Sequence, residues 1–183
     1  MNKKSKSMTI LSIALILIVG LSLGGCVEEE NKIIIGTSAD FPPFEYISEE
    51  GKFVGFDVEM VTMILEEAGY TVEFKDIAFD SLILSLENGK IDVIAAAMTI
   101  TEEREGQIDF SNPYYEADQS VLTKVGSNLN LSTNQDLQNY TLAAQTGTTG
   151  AAWIQETLVD NGTMNENDFK RLIFLQSMIL RAK

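Results

Sequence analysis

Short apolar runs alternate with amphipathic segments between residues 32 and 97, and this alternation constrains the fold more than any other feature of the sequence. Three segments have the length and composition of strands, namely Lys32–Thr37, Tyr70–Asp76 and Ile91–Ala97. Between them, Val58–Ala68 and Asp80–Glu87 place apolar residues at helical spacing. A β-α-β-α-β order with such short connections predicts an α/β fold in which helices cover a parallel sheet.

Short polar motifs mark the ends of these elements. Asp57 precedes the first helical segment and is its expected N-cap, and Gly69 follows it as the expected C′ residue. Asn88 and Gly89 should stop the second helix. The turn signal Glu50–Lys52 lies between two short extended pieces. These motifs predict where each element begins and ends.

Ligands of open parallel sheets collect at the carboxyl ends of the strands. The third predicted strand ends in small residues, which let a ligand come close to the backbone, and then continues as MTITEER. Thr99 and Thr101 can cap a short helix, and Arg104 can project a fixed fork of hydrogen-bond donors. This end of the sheet therefore suits a small carboxylate.

Three aromatic residues follow the first strand within a loop that two prolines keep out of helical conformation. Phe41 comes directly after the strand end and is the best candidate to lie over a ligand. Phe44 and Tyr46 are expected to pack in the core. The loop thus adds an aromatic face to the predicted site.

The second half of the chain carries weaker signals. Gln107–Asn112 and Gln119–Val125 are predicted to be strands, and the polar stretch after them contains one helical turn near Asp136. Tyr140–Ala144 is predicted to be a further strand. After residue 163 the apolar spacing is mixed, and the strand expected there is not evident.

A turn rich in glycine and threonine, Gln145–Gly150, precedes a predicted helix at about 151–159. Such a turn at a helix N-terminus offers free backbone N–H groups and a positive dipole end to an anion. It does not match GxxxxGK[ST], and no lysine follows it, which disfavours a nucleotide P-loop. A small carboxylate fits better, and a plain capped helix start is the alternative.

Composition narrows the function. The formal net charge of −14 repels phosphate backbones and disfavours nucleic-acid binding. The chain has no histidine, the commonest general base and metal ligand, and its single cysteine excludes an internal disulfide and a cysteine-based zinc cluster. No metal or cofactor is expected. An enzyme is disfavoured too, because no paired carboxylates appear at the strand ends beyond Asp40 and Glu45.

The N-terminus has the pattern of an export signal. Three lysines precede the apolar run Met8–Leu23, which at about 16 residues is shorter than the roughly 20 needed to cross a bilayer. The following Gly24–Cys26 completes a motif that resembles a bacterial lipobox and implies cleavage before Cys26 and lipid attachment to its sulfur. Residues 1–25 are then a signal peptide and 26–31 a tether to the membrane. An uncleaved signal anchor is the alternative.

Four motifs in order give the chain a resemblance to the extracytoplasmic solute-binding proteins of polar amino-acid ABC transporters. They are GTSADFPPFEY, GKFVGFDVEM, LENGKIDVIAAAMTITEEREGQIDFSNPYY and AAQTGTTG, and they lie within residues 32–160. The resemblance implies a type II periplasmic-binding fold with two lobes of mostly parallel sheets, residues 32–117 and 118–183. Relatives continue with a further aspartate and a return to the first lobe, so the second lobe is expected to be incomplete.

The resemblance also implies residue roles. Arg104 would hold the ligand α-carboxylate, and Phe41 and Phe79 would face the ligand from either side. The remaining implied ligand-binding residues are Ser38, Ala96, Ala97, Thr99, Gln145, Thr148 and Thr149. Many relatives have aspartate at the position of Ser38, so this chain's ligand class stays open and a lysine or arginine ligand is weakened.

The implied function is capture of a free, polar amino acid outside the cytoplasmic membrane and its delivery to the permease subunits of the transporter. The protein would act as a monomer, held by the lipid on Cys26 to the outer face of the cell membrane. The alternative is the ligand-binding module of an amino-acid-sensing receptor.

Overall fold

A computed structural model describes residues 31–172 of the chain. The eight described strands are β1 (Lys32–Thr37), β2 (Asp40–Phe41), β3 (Glu45–Ile47), β4 (Phe53–Val54), β5 (Thr71–Asp76), β6 (Val93–Ile94), β7 (Leu142–Gln145) and β8 (Phe169–Leu172). The α-helices over the same range are α1 (Phe56–Glu67), α2 (Leu82–Glu87), α3 (Glu102–Glu105) and α4 (Thr149–Ile154). The predicted signal peptide, Cys26 and all of the tether except Asn31 lie outside the described residues.

Shorter helical pieces complete the element list. They are 3-10 turns at Phe79–Ser81, Asn134–Asn139 and Glu166–Asp168, and a π-helical turn at Gln155–Val159 that continues α4. The turn at 134–139 confirms the helical turn predicted near Asp136, and Thr133 and Asp136 close a capping box there. The helix predicted at 151–159 is α4 together with its π-helical continuation.

The first half is built on a parallel sheet in the order β5-β1-β6. β1 pairs with β5 along its whole length, and Ile35 and Gly36 pair with β6 on the other side. Hydrophobic residues of α1 pack on one face of this sheet and those of α2 on the other. The predicted parallel sheet covered by helices is therefore confirmed, and the structure adds that the helices lie on both of its faces.

Gly36 allows α2 and the segment before β6 to approach the sheet closely. A Cβ atom on Gly36 would lie 2.3 Å from Cδ1 of Ile91 and 3.1 Å from Cδ2 of Leu82. Ile91 and Leu82 are both fully buried. The glycine is therefore required by packing, since its φ angle is not in the left-handed region.

Strand β6 is shorter than the strand predicted at Ile91–Ala97. Only Val93 and Ile94 form a ladder, although the N–H of Ala95 still donates to the carbonyl of Gly36 at 3.0 Å. Ala97 has a φ angle of +44°, so the backbone turns away from the sheet at this point. The predicted strand Ile91–Ala97 was therefore wrong at both ends, since the observed strand begins at Val93 and ends at Ile94.

α1 begins before the expected N-cap residue. Gly55 caps this helix, and Asp57 lies within its first turn as a fully buried side chain. The prediction of Asp57 as N-cap was wrong, because its carboxylate contacts another segment of the chain. At the other end Gly69 has a φ angle of +88° and donates its N–H to the carbonyl of Glu66, which confirms it as the C′ residue.

A small antiparallel sheet, β2-β3-β4, follows β1. The predicted turn at Glu50–Lys52 joins β3 to β4, with the N–H of Gly51 donating to the carbonyl of Ser48 at 2.9 Å. Phe44 is half-buried and Tyr46 is 36% exposed. Core packing was therefore wrong for Tyr46, since this narrow sheet leaves one of its faces in water.

The crossing segment, which we define as residues 106–133, contains no strand in the structure described. The strands predicted at 107–112 and 119–125 were wrong. Strand conformation needs a neighbouring strand to accept and donate backbone hydrogen bonds, and no ladder includes these residues. The predicted boundary between the lobes, at 117/118, falls inside this segment and stays a prediction.

The second half is organised around the parallel pair β7 and β8, in register from Leu142↔Phe169 to Gln145↔Leu172. Its buried core includes Leu142, Leu158 and Phe169. β8 is the strand that was not evident from the sequence. It has only four residues, and two of them are the exposed Lys170 and Arg171, so its hydrophobic pattern is short. The last predicted lobe residues, 173–183, lie outside the description.

Candidate ligand-binding cleft

The described residues of both halves belong to one compact unit and enclose a cleft of about 900 Å³. The loop after β1 and the segment after β6 line it from the first half, and the turn between β7 and α4 lines it from the second. All ten residues predicted to bind ligand line this cleft: Ser38, Phe41, Phe79, Ala96, Ala97, Thr99, Arg104, Gln145, Thr148 and Thr149. Their contact with a ligand stays a prediction.

Arg104 is held at the centre of this set by the short helix α3. Thr101 is the N-cap residue of that helix, and its hydroxyl accepts the N–H of Arg104 at 3.3 Å. The guanidinium donates from Nη1 to the carbonyl of Thr99 at 2.5 Å and from Nη2 to the carbonyl of Gly147 at 2.9 Å. The residue is only 8% exposed. One arginine therefore links the two halves across the cleft.

The surroundings of Arg104 keep a positive charge out of bulk water. Its Cζ atom lies 5.5 Å from the ring centroid of Phe79, within cation–π distance. Burial lowers the pKa of Arg104, and the carboxylate of Glu103 opposes that shift. A guanidinium has five N–H donors, and two of them go to the backbone carbonyls. A carboxylate is the acceptor that best matches the remaining donors.

Aromatic side chains cover the mouth of the cleft. The rings of Phe41 and Phe44 stack with centroids 5.4 Å apart, and Phe44 also meets Tyr115 edge-on at 4.9 Å. Phe41 is 39% exposed, so part of its ring is accessible to a molecule that enters the cleft. Phe44 lines the cleft beside it, and its half-buried ring also packs edge-on against Phe56, as the expected packing role requires. The pair offers an apolar face to a bound molecule.

A polar cluster closes the cleft between the halves. Ser38 is almost completely buried and donates its hydroxyl to Oδ1 of Asp40 at 3.4 Å. Nε2 of Gln145 donates to the Ser38 hydroxyl at 3.3 Å and to Oδ2 of Asp40 at 3.4 Å. Gln145 is likewise buried, so this predicted ligand-binding residue also ties the second half to the first.

The turn rich in glycine and threonine caps α4. The Thr148 hydroxyl donates to the carbonyl of Gln145 at 2.7 Å and accepts the N–H of Ala151 at 3.2 Å. The Thr149 hydroxyl accepts Nε2 of Gln119 at 2.9 Å. The capped helix start that was the alternative interpretation of this turn is thus present. The carbonyl of Gly147 in the same turn is the one that Arg104 contacts.

Sequence reasoning missed a buried cluster behind the cleft wall. Oδ2 of Asp57 accepts the N–H of Ala97 at 2.7 Å and the hydroxyl of Tyr114 at 2.6 Å. Glu45 is also buried, and burial, Asp57 and Asp40 raise its pKa to about 9. The available signal was an acid within each of two largely apolar motifs, Glu45 in PPFEY and Asp57 in GFDVEM.

Two negative observations concern residues 31–172 alone. Within that range no helix has the length and apolarity to cross a bilayer. The same range contains no group of three or more histidine, cysteine, aspartate or glutamate side chains placed to hold a metal ion.

A cleft between two halves, lined by a buried arginine and aromatic residues, is a form in which proteins commonly bind small molecules. The model of the bacterial extracellular solute-binding proteins, family 3, matches residues 33–175. The chain therefore belongs to this family, and its fold is the type II periplasmic-binding fold that was predicted.

Individual relatives bind different amino acids. The arginine-binding extracellular protein ArtP of Bacillus subtilis (strain 168) is 40% identical over 70% of this chain and 49% of its own length. The L-cystine-binding protein TcyJ of Escherichia coli (strain K12) is 29% identical over 79% of this chain and 55% of its own. This chain therefore spans about half the length of these relatives.

A solved structure supports the same assignment. An ancestral arginine-binding protein bound to arginine matches with a TM-score of 0.71 and 39% identity, over 79% of this chain and 62% of that chain. Relatives of this family act outside the cytoplasm, as the family's name states.

Proposed function

We propose that this protein captures a free polar amino acid outside the cytoplasmic membrane and delivers it to the permease of an ABC transporter. The ligand's α-carboxylate docks on Arg104, and its apolar part lies between Phe41 and Phe79. Membership of the solute-binding family and relatives named for arginine and cystine support this proposal. No chemical turnover is part of it.

The observation that carries the proposal is the placement of Arg104. A buried guanidinium is costly unless its donors are used, and two backbone carbonyls occupy only part of them. A carboxylate that accepts two parallel N–H bonds would satisfy the rest with a strong and directional contact. An amino acid supplies that carboxylate at a size that fits the cleft.

A thermal-shift screen of the twenty amino acids, followed by calorimetric titration of each hit, tests this function. Arg104→Ala should weaken binding by about 100-fold or more, because hydrogen bonds to a charged partner are worth about 1.5–3 kcal/mol each. Arg171→Ala is the matched control, since Arg171 is an exposed arginine paired with Glu166 outside the cleft.

Two results would overturn the proposal. One is a protein that responds to none of the twenty amino acids. The other is an Arg104→Ala variant that binds as tightly as the Arg171→Ala control. Mass spectrometry of the incubated ligand checks the absence of turnover, since any converted product would indicate an enzyme.

We further propose attachment to the outer face of the cell membrane through lipid on Cys26, and a monomeric state in solution. The apolar run before the only cysteine of the chain supports the anchor. Cells grown with radiolabelled palmitate should label the wild-type protein, and Cys26→Ser should lose the label. Equal labelling of both would refute the anchor. Light scattering of the purified protein measures its molar mass and should give the mass of one chain.

A further inference from the structure

Ala97 has an uncommon backbone conformation on the wall of the cleft. Its φ angle of +44° lies in the left-handed region, which costs a residue other than glycine roughly 1–2 kcal/mol. Such a conformation persists only where surrounding contacts hold it. The contact here is the 2.7 Å hydrogen bond from the Ala97 N–H to Oδ2 of Asp57.

The same carboxylate oxygen receives a second segment of the chain. The hydroxyl of Tyr114 donates to Oδ2 of Asp57 at 2.6 Å. Tyr114 belongs to the crossing segment and lines the cleft, whereas Asp57 lies on α1 and is fully buried. The segment after β6, the crossing segment and α1 therefore meet at one oxygen atom.

Ala97 lies close in sequence to a residue that holds the arginine used by the proposed function. Two residues further along, the carbonyl of Thr99 accepts Nη1 of Arg104 at 2.5 Å. A change in the backbone at Ala97 would displace this carbonyl, which is one of the two that hold the guanidinium.

We infer that Asp57 is a positioning residue of the cleft, whose carboxylate keeps Ala97 in the left-handed conformation and ties the crossing segment to α1, so that Arg104 is presented to the ligand. The expected effect of Asp57 on ligand affinity rests on the proposed function, which is amino-acid binding. The inference assigns no ligand contact to Asp57 itself.

Neighbouring groups are compatible with this role. Glu45 interacts electrostatically with Asp57 and Asp40, and Tyr114 interacts with Asp57 and Glu45. The raised pKa of Glu45, about 9, leaves this side chain neutral at pH 7, so it does not repel the Asp57 carboxylate. Burial and the bond to Asp57 also raise the pKa of Tyr114, so its hydroxyl keeps the proton that it donates.

Three variants test the inference. Asp57→Ala removes the oxygen that accepts both hydrogen bonds, from Ala97 and from Tyr114. Asp57→Asn keeps a side chain of the same shape with one acceptor oxygen. Tyr114→Phe removes only the tyrosine hydroxyl. The readouts are the affinity for each of the twenty amino acids, the thermal midpoint without ligand, and the amide resonance of Ala97 in a ¹⁵N-labelled sample. An amide bonded to a carboxylate at 2.7 Å should resonate downfield and exchange slowly with solvent.

Asp57→Ala should shift the Ala97 amide upfield and weaken binding about tenfold or more, whereas Asp57→Asn should keep binding within about threefold of wild type. Tyr114→Phe should keep the downfield Ala97 amide and weaken binding about two- to tenfold. If Asp57→Ala lowers the thermal midpoint but leaves the affinity for amino acids unchanged, Asp57 stabilises the fold without positioning Arg104. That result would overturn the inference.

The outcome is decided even if Asp57→Ala does not fold. In that case, wild-type affinity in Tyr114→Phe together with a rapidly exchanging Ala97 amide in the wild-type protein rejects the inference. If the wild-type protein binds no amino acid, the proposed function fails instead, and the Ala97 amide in Asp57→Asn and wild type still shows whether Asp57 holds this residue.

Discussion

Single residues of the cleft show where sequence reasoning worked and where it stopped. Arg104 could be placed beside a small anion because a capping threonine, a short helix and a strand end all pointed to the same place. Asp57 could not be found in this way, because its partners Ala97 and Tyr114 are 40 and 57 residues away. Local patterns predict local contacts, and a long-range hydrogen bond leaves no periodic signal.

The buried carboxyl of Glu45 predicts how stability depends on pH. Its pKa in the folded protein is about 9 against an ordinary value of 4.5, so the folded state binds more protons than the unfolded chain between these values. The free energy of unfolding should therefore fall as pH rises from about 5 to 9. Glu45→Gln should make this decline shallower in urea titrations across the range.

Glu66→Gln is the matched control for that experiment. Glu66 is an exposed acid on α1, and its removal should leave the pH dependence unchanged. A Glu45→Gln protein with the same slope as Glu66→Gln would show that Glu45 is ionised in the folded state.

At the scale of the elements, the sequence predicted the sheet of the first half well. β1 has the predicted bounds, β5 begins one residue later than predicted, and the two helices over the sheet lie where the apolar spacing put them. The crossing segment and β8 were mispredicted. In the crossing segment apolar residues lack a partner strand, and in β8 four residues are too few for alternation to be visible.

Close packing of α2 on the sheet gives a second prediction. Gly36→Ala should destabilise the protein by about 1–3 kcal/mol, because the added methyl group would overlap Cδ1 of Ile91. The double variant with Ile91→Val should recover part of that loss of stability, because valine lacks the Cδ1 atom that the added methyl group would overlap. Chemical denaturation of the single and double variants measures both effects.

Gly106→Ala serves as the control for this packing prediction. A Cβ atom there would lie 3.4 Å from the carbonyl of Glu103, and the residue's φ angle of −70° suits alanine. Equal loss of stability in Gly36→Ala and Gly106→Ala would contradict the assignment of the cost to Ile91.

The N-cap of α4 supports a further prediction at this scale. Thr148→Ala should cost about 0.5–2 kcal/mol of stability, because the N–H of Ala151 loses its acceptor. Thr148→Ser keeps the hydroxyl and should retain most of that stability. Thermal melts of the two variants without ligand compare them, and an equal loss in both would indicate that the methyl group matters and the cap does not.

For the whole molecule, the net charge of −14 has a measurable consequence. Like charges repel one another most in the compact state, and salt screens them over about 10 Å at 0.1 M. The thermal midpoint should therefore rise between 10 mM and 300 mM sodium chloride. A variant with Glu66→Gln and Glu67→Gln should show a smaller rise, and an identical rise would argue against self-repulsion.

The hydrogen bond from Arg104 to the carbonyl of Gly147 joins the two halves of the cleft. In the proposed function the ligand carboxylate takes the guanidinium donors that the carbonyls of Thr99 and Gly147 leave unused, so this bond is kept when the ligand binds. An amino-acid amide offers the same donors a neutral and therefore weaker acceptor, so a carbonyl group in place of the carboxylate should lower the affinity.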